Sequence, residues 1–247
     1  MSYVTTLAIE CQYFMEMKMH ILLTGGTSDI AKSCCRYLAD KHHLLVLSSH
    51  PENIEQKNNI KIYRSDFNYP EQCLKTVKSV LKEEKIDAII NISGINNKEK
   101  FGSVSVQGVI ETFLINTITP YLLTEMIIND WIKHKTSGNV INISSIKASE
   151  ASSNPSYGAS KIALEHFSKT IAKNVGKYNI KINNIALSPL YSTAEKMPKQ
   201  KKLQYLQKIS QQRFCSIDDI LSLIEFLLTS NTYINGQTIK LDGGYNL

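Results

Sequence analysis

Short apolar runs alternate with longer amphipathic segments along almost the whole chain. The apolar runs predict strands at 20–23, 43–47, 60–63, 86–92, 139–143, 180–186 and 237–241. Helical spacing predicts helices at 29–41, 70–84, 106–134, 157–177 and 217–228. Strands that are apolar throughout are buried on both faces, and the helices between them supply the crossovers that parallel strands need. The pattern therefore predicts an α/β fold, a doubly wound parallel sheet of about seven strands with helices on both faces.

The chain reads as a single domain with a short extension in front. No repeat, low-complexity tract or linker divides the 247 residues, a normal length for one α/β domain. Residues 1–16 precede the first strong pattern and lack the basic start and small-residue cleavage site of a signal peptide. We therefore expect one domain over 17–247, and an N-terminal extension that is a candidate for disorder and has no assigned role.

Charge and cysteine usage argue against several classes of protein. The chain has 28 Lys and Arg against 22 Asp and Glu, and these charges are scattered, which is typical of a solvated surface and not of a nucleic-acid site. No apolar run reaches the roughly 18 residues of a membrane span. The 5 cysteines and 6 histidines show no ligand spacing, so we expect no disulfide framework, no metal site and a cytoplasmic protein.

A glycine-containing turn joins the first strand to the first helix, and it reads Thr-Gly-Gly-Thr-Ser-Asp-Ile-Ala over residues 24–31. Gly25 and Gly26 permit a tight turn, and the N–H groups that open the helix favour a pyrophosphate. The alternative is an ordinary turn whose helix is capped by Ser28 or Asp29. An aspartate beside a pyrophosphate is electrostatically unfavourable, so the Asp29 carboxylate is expected to turn away.

Tyr157 and Lys161 are four residues apart on a predicted helix and therefore share one face. An ammonium near a phenol is expected to lower the tyrosine pKa and to suit it to proton exchange with a carbonyl or an alcohol. Such a pair is common by chance, so alone it is weak evidence. Ser144 and Ser145 end the fifth strand and point to opposite sides, so one of them is expected to face a ligand. Asn116 lies inside a predicted helix, where it is a poor helix former.

Taken together, these motifs resemble the short-chain dehydrogenase/reductase family, in its single-domain branch of about 250 residues. The resemblance covers residues 18–247 and implies a Rossmann-like sheet. The matching segments are TGGTSDIA at 24–31, NISG at 91–94, NISS at 142–145, YGASK at 157–161, SPL at 188–190 and LDGG at 241–244. Asp29, Ala31 and Leu190 depart from the family's glycine positions.

The resemblance implies a role for each residue of the catalytic set. Tyr157 is the general acid/base, Lys161 lowers its pKa and holds the nicotinamide ribose, and Asn116 supports a proton-relay water. Ser145 hydrogen-bonds the reacting oxygen, with Ser144 as the alternative. The implied cofactor contacts are Gly25, Thr27, Ser28, Asp29, Ile30, Ser49, His50, Asp66, Phe67, Asn91, Ser93, Gly94, Tyr157, Lys161 and Pro189.

The residues after the second strand bear on the choice of cofactor. Residues 47–50 read Leu-Ser-Ser-His, without the acid that would bind the ribose hydroxyls of NAD(H). Ser49 is able to donate to a 2′-phosphate and His50 to add positive charge. We therefore expect NADP(H) in preference to NAD(H).

The expected function is NAD(P)-dependent interconversion of a carbonyl and a secondary alcohol on a small molecule. The lid at residues 191–213 is similar to that of 3-oxoacyl-acyl-carrier-protein reductases, but reductases of sugars and other ketones look alike, so the substrate stays open. A non-catalytic nucleotide-binding regulator is a further alternative, and a purely structural subunit is another.

The long helices carry more apolar residues than one buried stripe needs, which predicts a homo-oligomer. The family resemblance makes that oligomer a tetramer. The residues concerned are Ile110, Phe113, Leu114, Tyr121, Leu122, Met126 and Trp131 on the first helix, and Ile162, Leu164, Phe167 and Ile171 on the second.

Overall fold

The predicted strands all form in the computed structural model, which describes residues 18–99, 102–151 and 153–247. They are β1 (His20–Thr24), β2 (His43–Ser48), β3 (Ile60–Arg64), β4 (Ala88–Asn91), β5 (Gly138–Ser145), β6 (Ile180–Leu187) and β7 (Thr238–Leu241). They pair in parallel in the order β3-β2-β1-β4-β5-β6-β7. This is the expected Rossmann-like sheet. The predicted extension at residues 1–16 lies outside the described residues.

The helices follow the sequence pattern, with two differences. They are α1 (Asp29–Ala39), α2 (Pro70–Glu83), α3 (Val106–Phe113), α4 (Thr119–His134), α5 (Pro155–Val175), α6 (Tyr191–Glu195), α7 (Lys199–Lys208) and α8 (Ile217–Glu225). The segment 106–134 was expected as one helix, but a π-helical turn over Leu114–Ile118 divides it. The lid contains the helices α6 and α7, which apolar spacing did not predict because few of their residues are buried.

Successive residues of the sheet face two separate cores. Ile21 and Leu23 of β1 pack in one hydrophobic cluster with α1 and α8, whereas Leu22 packs in another with α2, α4 and α5. Side chains alternate across a strand, so a strand buried on both faces is apolar at every position. This explains why the strands appear in the sequence as unbroken apolar runs. In the described parts of the chain, no helix is long and apolar enough to cross a bilayer.

The order of the strands determines where a ligand can bind. β1 lies between β2 and β4, so the connections from β1 and β4 leave the sheet in opposite directions. In open parallel sheets, a crevice forms outside the carboxyl ends of the strands at this switch point. The glycine turn after β1, the loop after β4 and the serines at the end of β5 all lie on that edge.

Candidate active site

A cavity of about 870 Å³ lies at the carboxyl edge of the sheet. Loops after β1, β4, β5 and β6 line it together with α5 and the lid. This volume is in the range of small-molecule and cofactor sites. The predicted site residues that line it are Ser28, Ile30, Gly94, Ser144, Ser145, Tyr157, Lys161 and Pro189. The structure therefore brings together motifs that are more than 150 residues apart in sequence.

Lys161 is held beneath the cavity by α5 and β5. Its side chain is 3% exposed, and its Nζ donates to the carbonyl oxygen of Ile143 at 2.8 Å. Its Nζ lies 6.0 Å from the centroid of the Tyr157 ring, one helical turn away. Among the described residues, Ile143 is the only acceptor that takes a hydrogen bond from this ammonium, which has three N–H groups. Two of its donors are therefore available to a ligand.

Burial dominates the titration of both residues. It lowers the pKa of Lys161 to about 8, although the Glu165 carboxylate one turn further along α5 acts against this shift. Burial also raises the pKa of Tyr157, and a hydrogen bond with Ser145 partly opposes that rise. We expected the pKa of Tyr157 to lie below its ordinary value, and the net shift is in the opposite direction because burial of the phenol outweighs the other contributions. The Lys161 ammonium bonds the Ile143 carbonyl, and the phenol is largely desolvated.

The two serines at the end of β5 have different partners. Ser145 accepts a hydrogen bond from the Lys147 backbone N–H at 3.2 Å, and its hydroxyl is close enough to the Tyr157 phenol to act on the pKa of that group. Ser144 instead donates to the Glu165 carboxylate. Both hydroxyls belong to residues at the cavity wall, but Ser145 is the one that contacts Tyr157. This geometry supports Ser145 over Ser144 as the residue that contacts a reacting oxygen.

Asn116 lies in the π-helical turn between α3 and α4 and is fully buried. Its Oδ1 accepts from the Ile95 N–H at 2.7 Å, and its Nδ2 donates to the Ile95 carbonyl at 2.9 Å and to Ser160 at 3.0 Å. It therefore joins the loop after β4 to α5. A Cβ placed on Gly94 would lie 3.3 Å from Lys161 Nζ and 3.4 Å from Asn116 Oδ1, so this glycine leaves the space above both groups open.

The glycine turn packs against the end of β4. Gly25 has φ +80°, and a Cβ there would come within 2.8 Å of Ser93, so only glycine fits. Ser28 caps α1 by accepting from the Ala31 N–H at 3.2 Å, whereas Asp29 is exposed in the first turn. Of the two caps weighed from the sequence, Ser28 is the one that forms. Ser93 Oγ is buried and has no hydrogen-bond partner among the described residues, which leaves it for a ligand at this turn.

A cluster of charged side chains lies beyond the ends of β2 and β3. Ser48 pairs with Arg64 in the sheet, and Arg64 donates to the Ser49 carbonyl at 3.0 Å. The Glu52 carboxylate contacts Arg64 at 3.1 Å and His50 at 3.2 Å. Neither Arg64 nor Glu52 belongs to residues 47–50, from which the choice of cofactor was argued. The missed signal was that Arg64 ends the strand adjacent to β2.

Three residues expected to contact a cofactor have other partners, and none of them lines the cavity. Phe67 is 5% exposed and packs in the core. Asp66 accepts from the Asn68 N–H at 2.9 Å. Asn91 donates to Asn142 at 2.7 Å within a buried polar network. Their side chains therefore have structural contacts, and their cofactor contacts stay predictions. Thr193 of α6 lines the cavity and was not among the predicted site residues.

Comparison with known proteins gives consistent matches over almost the whole chain. A family model described as enoyl-(acyl carrier protein) reductase matches residues 25–246. L-xylulose reductase of Caenorhabditis elegans is 25% identical over 92% of this chain and 95% of that protein. The 3-oxoacyl-(acyl-carrier-protein) reductase FabG of Buchnera aphidicola is 26% identical over 90% of this chain and 95% of its own length.

A solved structure of 4-hydroxyisoleucine dehydrogenase complexed with NADH has the same fold. It superposes with a TM-score of 0.84 and covers 92% of this chain and 98% of that chain, at 24% sequence identity. At this level of identity the structural likeness describes the fold alone.

Proposed function

We propose that this protein interconverts a carbonyl and a secondary alcohol on a small molecule. The premise is that the chain belongs to the short-chain dehydrogenase/reductase family and is an NAD(P)-dependent oxidoreductase acting on CH–OH groups. Tyr157 is the general acid/base. The observation that carries the proposal is that Tyr157, Ser145 and Lys161 line one cavity of about 870 Å³, with the buried Lys161 ammonium 6.0 Å from the centroid of the Tyr157 ring.

In the direction of reduction, the Tyr157 phenol gives its proton to the carbonyl oxygen. Ser145 donates a hydrogen bond to the same oxygen and stabilises the negative charge that develops on it. A tyrosine with a raised pKa is fully protonated at neutral pH and is therefore ready to donate. The buried Lys161 cation favours the phenolate that remains after transfer, because opposite charges attract strongly where water is excluded. Asn116, bonded to Ile95 and Ser160, keeps the loop after β4 open above Lys161 and supports the water that returns a proton.

The residues of the cavity fit a nicotinamide dinucleotide, which supplies the hydride when it is bound. The two unused donors of Lys161 suit the hydroxyls of a ribose. The unpartnered Ser93 hydroxyl and the N–H groups at the start of α1 suit a pyrophosphate. Gly25, Gly94 and Pro189 contribute surfaces without bulky side chains. The open space above Gly94 is bounded by Lys161 and Asn116, which supports this fit.

The charges beyond β2 and β3 support NADP(H) in preference to NAD(H). Arg64 and His50 present a guanidinium and an imidazole where a 2′-phosphate is expected, next to the hydroxyl of Ser49. Glu52 currently accepts from both groups. A phosphate dianion is a stronger acceptor than a carboxylate, so it is able to replace Glu52 as their partner. The preference for NADP(H) over NAD(H) is moderate, because the displaced Glu52 carboxylate stays near the 2′-phosphate and repels it.

Exposed apolar residues on α3 and α5 support a homo-oligomer, which we take to be a tetramer. Ile110 is 47% exposed and Ile162 52% exposed, and Phe167 stacks on Tyr121 at 4.5 Å between ring centroids. Trp131 and Leu164, also counted in the apolar excess, are buried in the monomer and do not belong to this surface. Light scattering tests the assembly: we expect about four times 27.9 kDa, and a Phe167→Glu variant of lower mass. A monomeric wild type would contradict it.

The decisive test is oxidation of NADPH with a panel of ketones, keto-sugars and β-ketoacyl thioesters. We expect turnover of at least one carbonyl, and its loss in Tyr157→Phe. Preference for the thioesters would identify a 3-oxoacyl reductase, the second candidate, which the similarity to FabG favours. NADPH binding without any carbonyl-dependent rate would favour a nucleotide-binding regulator and contradict the proposal.

A further inference from the structure

The cavity has a strong excess of positive charge. Lysines line it at Lys98, Lys147, Lys161, Lys196 and Lys201, whereas Glu99 is the one carboxylate residue among the described residues of its wall. Glu99 accepts from the Ser156 N–H at 3.3 Å, so its charge faces the N-terminus of α5 and is offset by the helix dipole. Lys161 acts at the catalytic tyrosine. The other four lysines are not needed for proton transfer.

Lys147 is the lysine in the most informative position. It follows Ser145 by two residues, and its backbone N–H donates to the Ser145 hydroxyl at 3.2 Å. Its side chain is half-buried, and its Nζ lies 5.8 Å from the centroid of the Tyr205 ring and 6.0 Å from that of Tyr245. These are cation–π distances. The two aromatic rings therefore lie beside the ammonium without neutralising its charge.

No carboxylate of the described residues lies within ion-pair distance of Lys147. The nearby Glu150 accepts instead from the Asn246 side chain at 3.1 Å. An anion bound in the cavity would therefore meet this ammonium without competing with a carboxylate of the described residues. Lys196 and Lys201 of the lid also line the cavity and add positive potential, which concentrates anions within it.

We infer that the substrate of this site carries an anionic group, a carboxylate or a phosphate, which binds Lys147 while the reacting carbonyl contacts Ser145 and Tyr157. This inference rests on the proposed function. Lys147 is a specificity residue that contacts the substrate and takes no part in proton transfer. Tyr205 also lines the cavity next to Lys147, so its ring would lie beside the anionic group of the substrate.

Paired probes test the inference by binding. So that the ketones bind without oxidising NADPH, the NADPH complex of Tyr157→Phe is titrated with acetoacetate and with methyl acetoacetate, and separately with dihydroxyacetone phosphate and dihydroxyacetone, while NADPH fluorescence is followed. We expect at least one anion to bind about tenfold more tightly than its neutral partner, the usual effect of a charged hydrogen bond. A larger difference in affinity within the acetoacetate pair would indicate a carboxylate substrate, and a larger difference within the dihydroxyacetone pair would indicate a phosphate.

Variants then locate the effect. Lys147→Gln is expected to remove most of the tenfold preference, and Lys147→Arg to keep it. Lys173→Gln is the matched control, because Lys173 is exposed on α5 away from the cavity and should leave the preference unchanged. If 0.5 M salt abolishes the preference for anionic probes in the protein with Lys147 intact, this result would support an electrostatic origin in the lysines of the cavity.

Three results would overturn the inference: neutral probes that bind as tightly as the anions, no binding of either kind, or a Lys147→Gln variant that weakens NADPH itself as much as the anion. The last result would assign Lys147 to the cofactor phosphates. None of these results bears on the proposed function, which the ketone panel with its Tyr157→Phe control tests separately.

Discussion

The two ends of the binding edge are built in different ways. At the catalytic end, Ser145 and Tyr157 line the cavity beside Lys161, which is 3% exposed. At the other end, beyond β2 and β3, which we call the adenosine end because our proposal places that part of the cofactor there, Arg64 and Glu52 form an ion pair whose side chains are 65% and 55% exposed. Buried groups interact strongly and need fixed geometry, whereas exposed charges are screened and interact weakly. We therefore expect the reaction rate to depend strongly on single atoms at the catalytic end. The preference between NADPH and NADH should change only slightly when one side chain of the adenosine end is replaced.

The catalytic end should show the largest effect. Tyr157→Phe removes the proton donor and keeps the ring, so we expect kcat to fall by about 10²–10⁴. The affinity for NADPH should change by no more than about twofold, because Lys161 keeps its ribose contacts. Steady-state kinetics and fluorescence titration measure the two quantities. A variant as active as the wild type would refute the role of Tyr157.

The two serines provide a matched pair at the same strand end. Ser145→Ala removes a donor to the reacting oxygen, and kcat should fall by about 10²–10³. Ser144→Ala removes the hydrogen bond to Glu165, and kcat should change by about fivefold or less. Single-turnover measurement of NADPH oxidation separates this step from product release. Equal losses in both variants would show that the assignment of the two hydroxyls is wrong.

Burial of Lys161 should cost stability as well as serve catalysis. The pKa of Lys161 is about 8 in the folded protein, against an ordinary value of 10.5. Between pH 8 and pH 10.5, Lys161 is therefore mostly protonated in the unfolded chain and mostly neutral in the folded protein. The loss of folding stability caused by burying the ammonium is greatest below pH 8, and it decreases to zero as the pH rises towards 10.5. Lys161→Met should therefore be more stable at pH 7, by about 2 kcal/mol after the lost hydrogen bond to Ile143 is subtracted.

Thermal unfolding of Lys161→Met at pH 7 and pH 9.5 checks both parts of this prediction. The gain over the wild type should be smaller at pH 9.5, and the variant should be inactive at both values. A variant less stable than the wild type at pH 7 would mean that the hydrogen bond to Ile143 outweighs the cost of burying the charge.

The adenosine end should show the smallest effects, in opposite directions. Arg64→Gln should weaken NADPH by about fivefold, and Glu52→Gln should strengthen it by about twofold, because exposed ion pairs contribute little. Affinity for NADH, which lacks the 2′-phosphate, is the internal control and should not follow this trend. Titration of both cofactors against both variants gives the result. Tighter binding of NADH than NADPH by the wild type would contradict the preference.

The same contrast explains what the sequence could predict. Tyr157 and Lys161 are neighbours on one helix, and Ser145 ends an apolar run, so local spacing made them candidates, and the family resemblance supplied their roles. Arg64 reaches Ser49 only because β3 pairs with β2, and no local pattern reports which strands are adjacent. Asn116 was noticed as a poor helix former, but its π-helical turn depends on the partners Ile95 and Ser160.

The lid was the least predictable part of the fold. Its helices α6 and α7 bury little, so they lack the apolar stripe that predicts a helix. Thr193 and Tyr205 reach the cavity only once these helices form. The pKa of Tyr157 was predicted in the wrong direction because spacing gives proximity to Lys161 and carries no information about desolvation.

The central claim is that Tyr157 transfers a proton to a carbonyl in an NAD(P)-dependent reaction. The most direct measurement is the rate of NADPH oxidation at 340 nm with the best ketone of the panel, compared between wild type and Tyr157→Phe at equal occupancy by NADPH. The account predicts a carbonyl-dependent rate in the wild type that falls by about 10² or more in the variant. An undiminished rate in Tyr157→Phe, or NADPH bound without carbonyl-dependent oxidation in the wild type, would contradict it.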